Sequence, residues 1–285
     1  MPNEASPSEA KSAAADTGSR IDDPRQPSTA RLWNLASGGK DNFLADRVLY
    51  EGLAQATAHF SHLAAANKHF VRGAAAFLTS ELGITQYIDL GVGLPTPDGN
   101  LHDVVQSLNP HTKVVYVDQV PSVLAHAHGL LAVNERVLVV DGDIFDSAQL
   151  LQQPELSTFL DWSAPIAVFC TAVLHYHPGA APDVATTMQT YVDALATGSC
   201  TVITHFLDPE DATSSVVRQI EKTLTTSTIG AGWFRSHEEI EAMFPGQALL
   251  PPGVVPCVQW WPKVQTARDN SWIENCIAGG IGQKA

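Results

Sequence analysis

Two runs constrain this chain most: Tyr87-Ile-Asp-Leu-Gly-Val-Gly-Leu94 and, one unit later, Lys113-Val-Val-Tyr-Val-Asp118. Short β-branched and apolar runs of this kind read as buried strands of a parallel sheet. The first stops at Gly91 and Gly93, where the missing side chains let backbone approach a ligand and adopt φ values other residues avoid. The second stops at an acid. In a doubly wound α/β sheet, the carboxyl ends of adjacent strands form a crevice for a nucleoside, and a carboxylate placed as Asp118 is can accept hydrogen bonds from both ribose hydroxyls.

The same loop argues about phosphate. A dinucleotide site places a third glycine three residues after the second and starts a helix at once, so that the helix N-terminus meets the pyrophosphate. Here Thr96 holds that position, and the loop runs on through Pro95, Pro97, Asp98 and Gly99. The expected helix start is Asn100, with Asp103 answering from the third helical position. This moves the helix end away from the glycines and adds a carboxylate, a poor cradle for phosphates. A nucleoside cofactor without phosphate fits better, and S-adenosylmethionine (SAM) is the common one.

From Gln86 onward, strand-like runs alternate with helical stretches, the pattern of right-handed crossovers. Strands are expected over Gln86 to Leu90, Lys113 to Asp118, Arg136 to Asp141, Ile166 to Val173 and Cys200 to Phe206. Helices are expected over Leu101 to Leu108, Ser122 to Ala132, Ser147 to Phe159 and Val184 to Ala196. Then come a helix around Thr213 to Thr226, a short helix opened by the capping box Ser236-His-Glu-Glu239, and an antiparallel hairpin near Gly253 to Trp261 and Trp272 to Gly279. Residues 1 to 29, rich in Ala, Ser, Asp and Pro, are expected to form a disordered tail. Residues 30 to 82 read as a helical cover, and residues 83 to 285 as the cofactor-binding domain.

A net charge of −14 argues against nucleic acid or an anionic membrane surface as the main partner. Neither a membrane-length apolar run nor a secretory signal is visible, so a cytoplasmic location is expected. Cys170, Cys200, Cys257 and Cys276 lack paired spacing and read as reduced core residues, and no metal site is expected.

Several blocks together resemble the actinobacterial SAM-dependent methyltransferases once catalogued as domain of unknown function 574: Gly38-Gly-Lys-Asp-Asn-Phe43, Asn67-Lys-His-Phe-Val-Arg72, Asp89-Leu-Gly-Val-Gly-Leu-Pro-Thr96, Val115-Tyr-Val-Asp118, Ala172-Val-Leu-His175 and Gly279-Gly-Ile-Gly282. The resemblance implies a class I methyltransferase Rossmann-like sheet of seven strands, the last antiparallel, beneath an N-terminal helical cover. It also implies SAM as cofactor, held against Gly91, Val92 and Gly93 with Asp118 on the ribose. A small-molecule acceptor, a place in secondary metabolism and a homodimer are further expectations. The family often has Tyr-Asp-Tyr where Trp33-Asn-Leu35 stands, in the segment expected to face substrate. Two other readings remain: an enzyme that cyclises or cleaves SAM, and a SAM-binding regulatory module without catalysis.

Within that frame, Asp143 is placed to accept from the adenine amino group while Ile144 packs on the ring. Asp141 competes for this role, and a strand-end turn serving geometry alone is the plainer alternative. Thr171 to His175 follow the fourth strand, where sulfonium and acceptor would meet. Thr171 is therefore expected at the cofactor, and His175 is the candidate base or orienting group. The segment from Ala30 to Arg47 reads as a lid, with Asp41 or Asn42 available to the methionine ammonium and Arg72 to its carboxylate. The alternative is a helix junction in which Gly38-Gly39 ends one helix and Asp41 caps the next.

Overall fold

The computed structural model describes residues 22–96, 99–261 and 272–285. Most of the expected tail, and Pro97 and Asp98 of the glycine loop, lie outside the described residues. Residues 22 to 28, which composition assigns to the tail, fold back on the cover, where Asp22 accepts hydrogen bonds from Arg31 and Ser122.

Three helices come first: α1 (Thr29–Ala36), α2 (Leu44–Ala56) and α3 (Phe60–Ser80). The sheet then begins with β1 (Gln86–Leu90), α4 (Leu101–Leu108), β2 (Lys113–Asp118), α5 (Pro121–Leu130) and β3 (Val137–Asp141). Next are α6 (Ser147–Leu151), α7 (Pro154–Phe159), β4 (Ala167–Thr171), α8 (Ala181–Ala194), β5 (Cys200–Phe206), α9 (Ser214–Thr226) and α10 (His237–Glu241). The chain closes with β6 (Gln247–Leu249), β7 (Val255–Pro256) and β8 (Ile277–Lys284). The main path of the sheet is β3-β2-β1-β4-β5-β8-β6, with β7 paired to β8 off that path. β1 to β5 are mutually parallel, whereas β8 runs antiparallel to β5.

Alternation along each strand divides the core in two. Tyr87, Tyr116, Phe169 and Phe206 face α1 to α4 and α9, whereas Ile88, Val115, Val168 and Ile203 face α6 to α8 and α10. The four cysteines are free and buried. Near the edge, a Cβ on Gly279 would sit 2.9 Å from the Phe70 ring and one on Gly280 2.8 Å from the Phe244 ring, so the glycine run lets helix side chains press on β8. No helix among the described residues is long and apolar enough to cross a membrane.

The C-terminal hairpin differs from expectation. Only Val255–Pro256 pairs in the stretch from Gly253 to Trp261, because Pro256 has no N–H to donate and the chain turns into a 3-10 helix at Cys257–Gln259. Trp272–Cys276 is likewise 3-10, and the strand is Ile277–Lys284. The single helix expected from Ser147 to Phe159 breaks before Pro154, which cannot donate to the preceding turn.

Candidate active site

A cavity of about 340 Å³ opens at the carboxyl ends of β1, β2 and β4, roofed by α1. Such strand ends are where open α/β sheets bind ligands. At one end, Gly91 takes φ 74°, and its N–H donates 2.8 Å to the Val117 carbonyl, tying the loop to β2. A Cβ there would approach Val173 Cγ2 to 2.7 Å, so only glycine fits between the two strand ends. Gly93 N–H donates 3.1 Å to Asp118 Oδ2, while Gln119 and Val120 N–H donate to Oδ1 at 2.8 and 3.0 Å. Burial pushes the Asp118 carboxyl up and these three donors pull it back. Three of its four lone-pair sites are thus taken, and the carboxylate, which lines the cavity, keeps one acceptor site on Oδ2.

Asp89, the one acid within β1, lies half-buried on the cavity floor. Burial pushes its carboxyl up to about 7, and the neighbouring Asp118 charge adds to the shift. A second cavity of about 150 Å³ shares Asn67, Lys68, Asp89 and Thr171 with the first and adds Arg72.

The other end is built by side chains. Ala172 ends β4 at φ 56°, a strained value for a residue with a Cβ. Its N–H is held 2.8 Å from Thr204 Oγ1, which donates 2.6 Å to Asn67 Oδ1 on α3. The chain then winds into a 3-10 turn, Leu174–Tyr176. Trp33 Nε1–H donates 2.9 Å to Tyr176 Oη, and the pair forms the wall between α1 and the β4 loop. The cover is anchored by Asp46, wholly buried, which accepts from Ser28 N–H (2.9 Å), Arg31 Nε–H (2.8 Å) and Phe43 N–H (2.7 Å).

The structure brings Gly91, Val92, Gly93, Asp118, Ile144 and Thr171 together around the larger cavity. It does not bring His175 there. That ring is wholly buried behind Trp33 and Tyr176, stacked on Phe206 at 3.7 Å, and burial holds it well below its usual pKa. Asp143 instead accepts from Phe145 N–H at 2.9 Å in a strand-end turn, the plainer alternative, while Gly142, Ile144 and Phe145 line the cavity. Asp41 and Asn42 turn away as well. Asn34 Oδ1 accepts the Asp41 N–H at 3.1 Å, Asn42 Nδ2 donates to Gly39 O, and the next helix is capped by Asp46 rather than Asp41. Arg72 is exposed and lines only the smaller cavity. Missed at the sequence level were Asp89, Asn67, Lys68 and Tyr176. An acid inside an apolar strand run was the visible signal for the first, and the Asn67 to Arg72 block for the next two.

The family model described as S-adenosyl methyltransferase matches residues 14–285. The chain belongs to this family. This SAM-dependent methyltransferase resembles a candidate methyltransferase from Thermobifida fusca, with 36% identity over 91% of this chain and 96% of that one and a TM-score of 0.84. It also resembles a domain-of-unknown-function-574 protein from Streptomyces avermitilis, with 30% identity, coverage of 92% and 99%, and a TM-score of 0.86. The mitomycin 7-O-methyltransferase MmcR shares the fold, with 16% identity, coverage of 93% and 74%, and a TM-score of 0.51. No curated protein matches the chain. The residues fit SAM: a carboxylate acceptor at Asp118 Oδ2, bare backbone at Gly91 and Gly93, apolar surface at Ile144, and Asp89 and Lys68 on the same lining as Thr171.

Proposed function

We propose that this methyltransferase acts on a small-molecule acceptor in the cytoplasm, within secondary metabolism. The observation that carries the acceptor class is the roof: α1 lies over the cavity with Trp33, bounding a space sized for small ligands. The net charge of −14 supports it by disfavouring polyanions.

SAM supplies a methyl group on a positively charged sulfur. In this reading Asp118 Oδ2 accepts from a ribose hydroxyl, and Gly142 backbone with Ile144 faces the adenine. Asp89 faces the cationic part of the cofactor, and Lys68 and Arg72 take its carboxylate. Thr171 and the strained Ala172 form the edge over which the acceptor approaches, and Trp33 and Tyr176 wall its site. Holding both partners in near-attack geometry supplies ~7 to 11 kcal/mol, so the site can work without a titrating base.

The test is incubation with methyl-labelled SAM and a cell extract fractionated into metabolites, protein and nucleic acid. Label is expected among the metabolites, with S-adenosylhomocysteine (SAH) as co-product. Label in the macromolecular fractions overturns the acceptor class. Methylthioadenosine formed from SAM alone would point instead to cofactor cleavage.

A further inference from the structure

A short chain of hydrogen bonds joins the sheet to the cover at the edge of the cavity. It starts at Ala172, whose N–H is shared between Thr204 Oγ1 at 2.8 Å and the Thr204 carbonyl at 3.2 Å. A backbone N–H can only donate, so the Thr204 hydroxyl accepts there and keeps its one proton for another partner. That partner is Asn67 Oδ1 on α3, 2.6 Å away. The direction of each bond is therefore fixed. So is the orientation of the Asn67 amide, whose oxygen is taken by Thr204 and whose NH2 group is left over.

Nδ2 carries two N–H groups, and neither has a partner among the described residues. The atom is not sealed in the core. Asn67 is half-buried and lines both the larger cavity and the smaller one beside it, where the shared lining includes Lys68, Asp89 and Thr171. Any acceptor on α3 could answer the Thr204 hydroxyl, but an amide adds donors on the cavity side. Donors beside a lysine suit a carboxylate, because a hydrogen bond to an ionised acceptor is roughly twice as strong as one to a neutral group.

We propose that Asn67 is a positioning residue that reads the amino-acid carboxylate of the cofactor and passes its presence to Ala172. One Nδ2–H donates to the carboxylate, Oδ1 accepts from Thr204, and Thr204 Oγ1 accepts from Ala172 N–H. Hydrogen bonds in series polarise one another, so an anion on the amide N–H makes the amide oxygen a better acceptor and tightens the bonds behind it. What they hold is the φ 56° backbone of Ala172, next to Thr171 on the edge over which the acceptor approaches. An occupied cofactor site thus keeps that edge in its strained form, and the acceptor side is completed once the cofactor is in place. The inference rests on the reading above in which the cofactor carboxylate lies against Lys68 and Arg72.

The test compares two ligands on the full chain by calorimetry: SAH, and 5′-methylthioadenosine, which keeps the nucleoside and the sulfur but lacks the amino-acid end. Asn67→Asp retains an acceptor for Thr204 and puts a like charge where the donor was. It should weaken SAH at least about tenfold and leave methylthioadenosine within about twofold of wild type. A mere anchor between α3 and β5 would change both ligands alike. In hydrogen-exchange NMR, saturating SAH should slow exchange of the Ala172 N–H in the wild type and not in the variant. If the variant does not fold, the wild type decides: SAH should slow Ala172 exchange and shift the Asn67 side-chain amide signals, and methylthioadenosine should do neither. Equal weakening of the two ligands, undiminished SAH affinity in Asn67→Asp, or an Ala172 N–H and an Asn67 amide that ignore SAH each overturns the role of Asn67. Wild-type protein that binds methylthioadenosine as tightly as SAH would overturn that role and the placement of the carboxylate together, so the two failures are told apart.

Discussion

The two ends of the cavity are built by different means. At the ribose end, Asp118 and the Gly91 to Gly93 loop are fixed by backbone N–H groups and by the register of β1 on β2. At the cover end, position depends on side chains from distant parts of the chain: Trp33 on Tyr176, Asn67 on Thr204, and Asp46 on Arg31. The first arrangement persists as long as the sheet does. The second can loosen while the sheet stays intact, because local opening follows the least anchored elements. In the proposed reading, affinity for the cofactor's nucleoside is therefore lodged in the sheet, and access and acceptor choice in the cover.

The contrast is most exposed to test at Asp46. Replacing it by Ala takes one of two carboxylate partners from the buried Arg31 guanidinium, leaving Asp22, and frees Ser28 and Phe43 N–H. A loss of about 3 to 5 kcal/mol is expected in urea unfolding, and a loss under about 1 would show that the cover is anchored otherwise. Asp118→Ala should weaken SAM by ~1.5 to 3 kcal/mol with little change in stability, read by calorimetry. Unchanged affinity in the folded variant would move the ribose acceptor elsewhere.

Asp89→Asn separates stability from binding. The Asp89 pKa rises from 3.8 to about 7 on folding, so the native state holds this proton more tightly than the unfolded chain does. The group is neutral in both states below pH 3.8, its contribution to stability falls as pH climbs to about 7, and the loss is complete above that. The Asn variant should therefore gain about 1 to 3 kcal/mol over wild type at pH 8 and nothing near pH 4, while binding SAM more weakly. A pH-independent difference would remove Asp89 as the source. The smallest effect is expected from Trp33→Phe, which loses one hydrogen bond to Tyr176, about 0.5 to 1.5 kcal/mol, with SAM affinity retained. Loss of SAM binding in this variant would erase the distinction between the two ends.

The same division explains what the sequence disclosed. Strands β1, β2 and β5 coincide with their expected bounds, and Gly91, Gly93 and Asp118 stand where the parallel-strand argument puts them, because period and turn chemistry are local properties. The cover end was less legible. Ala172 leaves the strand in the left-handed region, and the 3-10 turn that follows rotates each successive side chain by about a third of a circle, so Tyr176 reaches the cavity and His175 the core. No propensity announces an alanine at φ 56° when the cause is a Thr204 hydroxyl thirty-two residues on. Asp41 and Asn42 carry suitable chemistry but are turned away by Asn34 and Gly39, a choice made by one helix end.

Asp89 has a consequence for product release. Near neutral pH its carboxyl is about half ionised, and a positive charge entering the cavity favours the ionised form. Binding of the sulfonium cofactor then sheds a fraction of a proton to solution, so the measured heat depends on the ionisation enthalpy of the buffer. The demethylated product carries one positive charge fewer and gives back that preference. In the proposed reading, the ionised floor is expected to discriminate for fresh cofactor over spent at a pH above the raised Asp89 pKa. As the surroundings acidify that discrimination is expected to fade, so that in a competition assay the by-product should inhibit more strongly at low pH than at high pH.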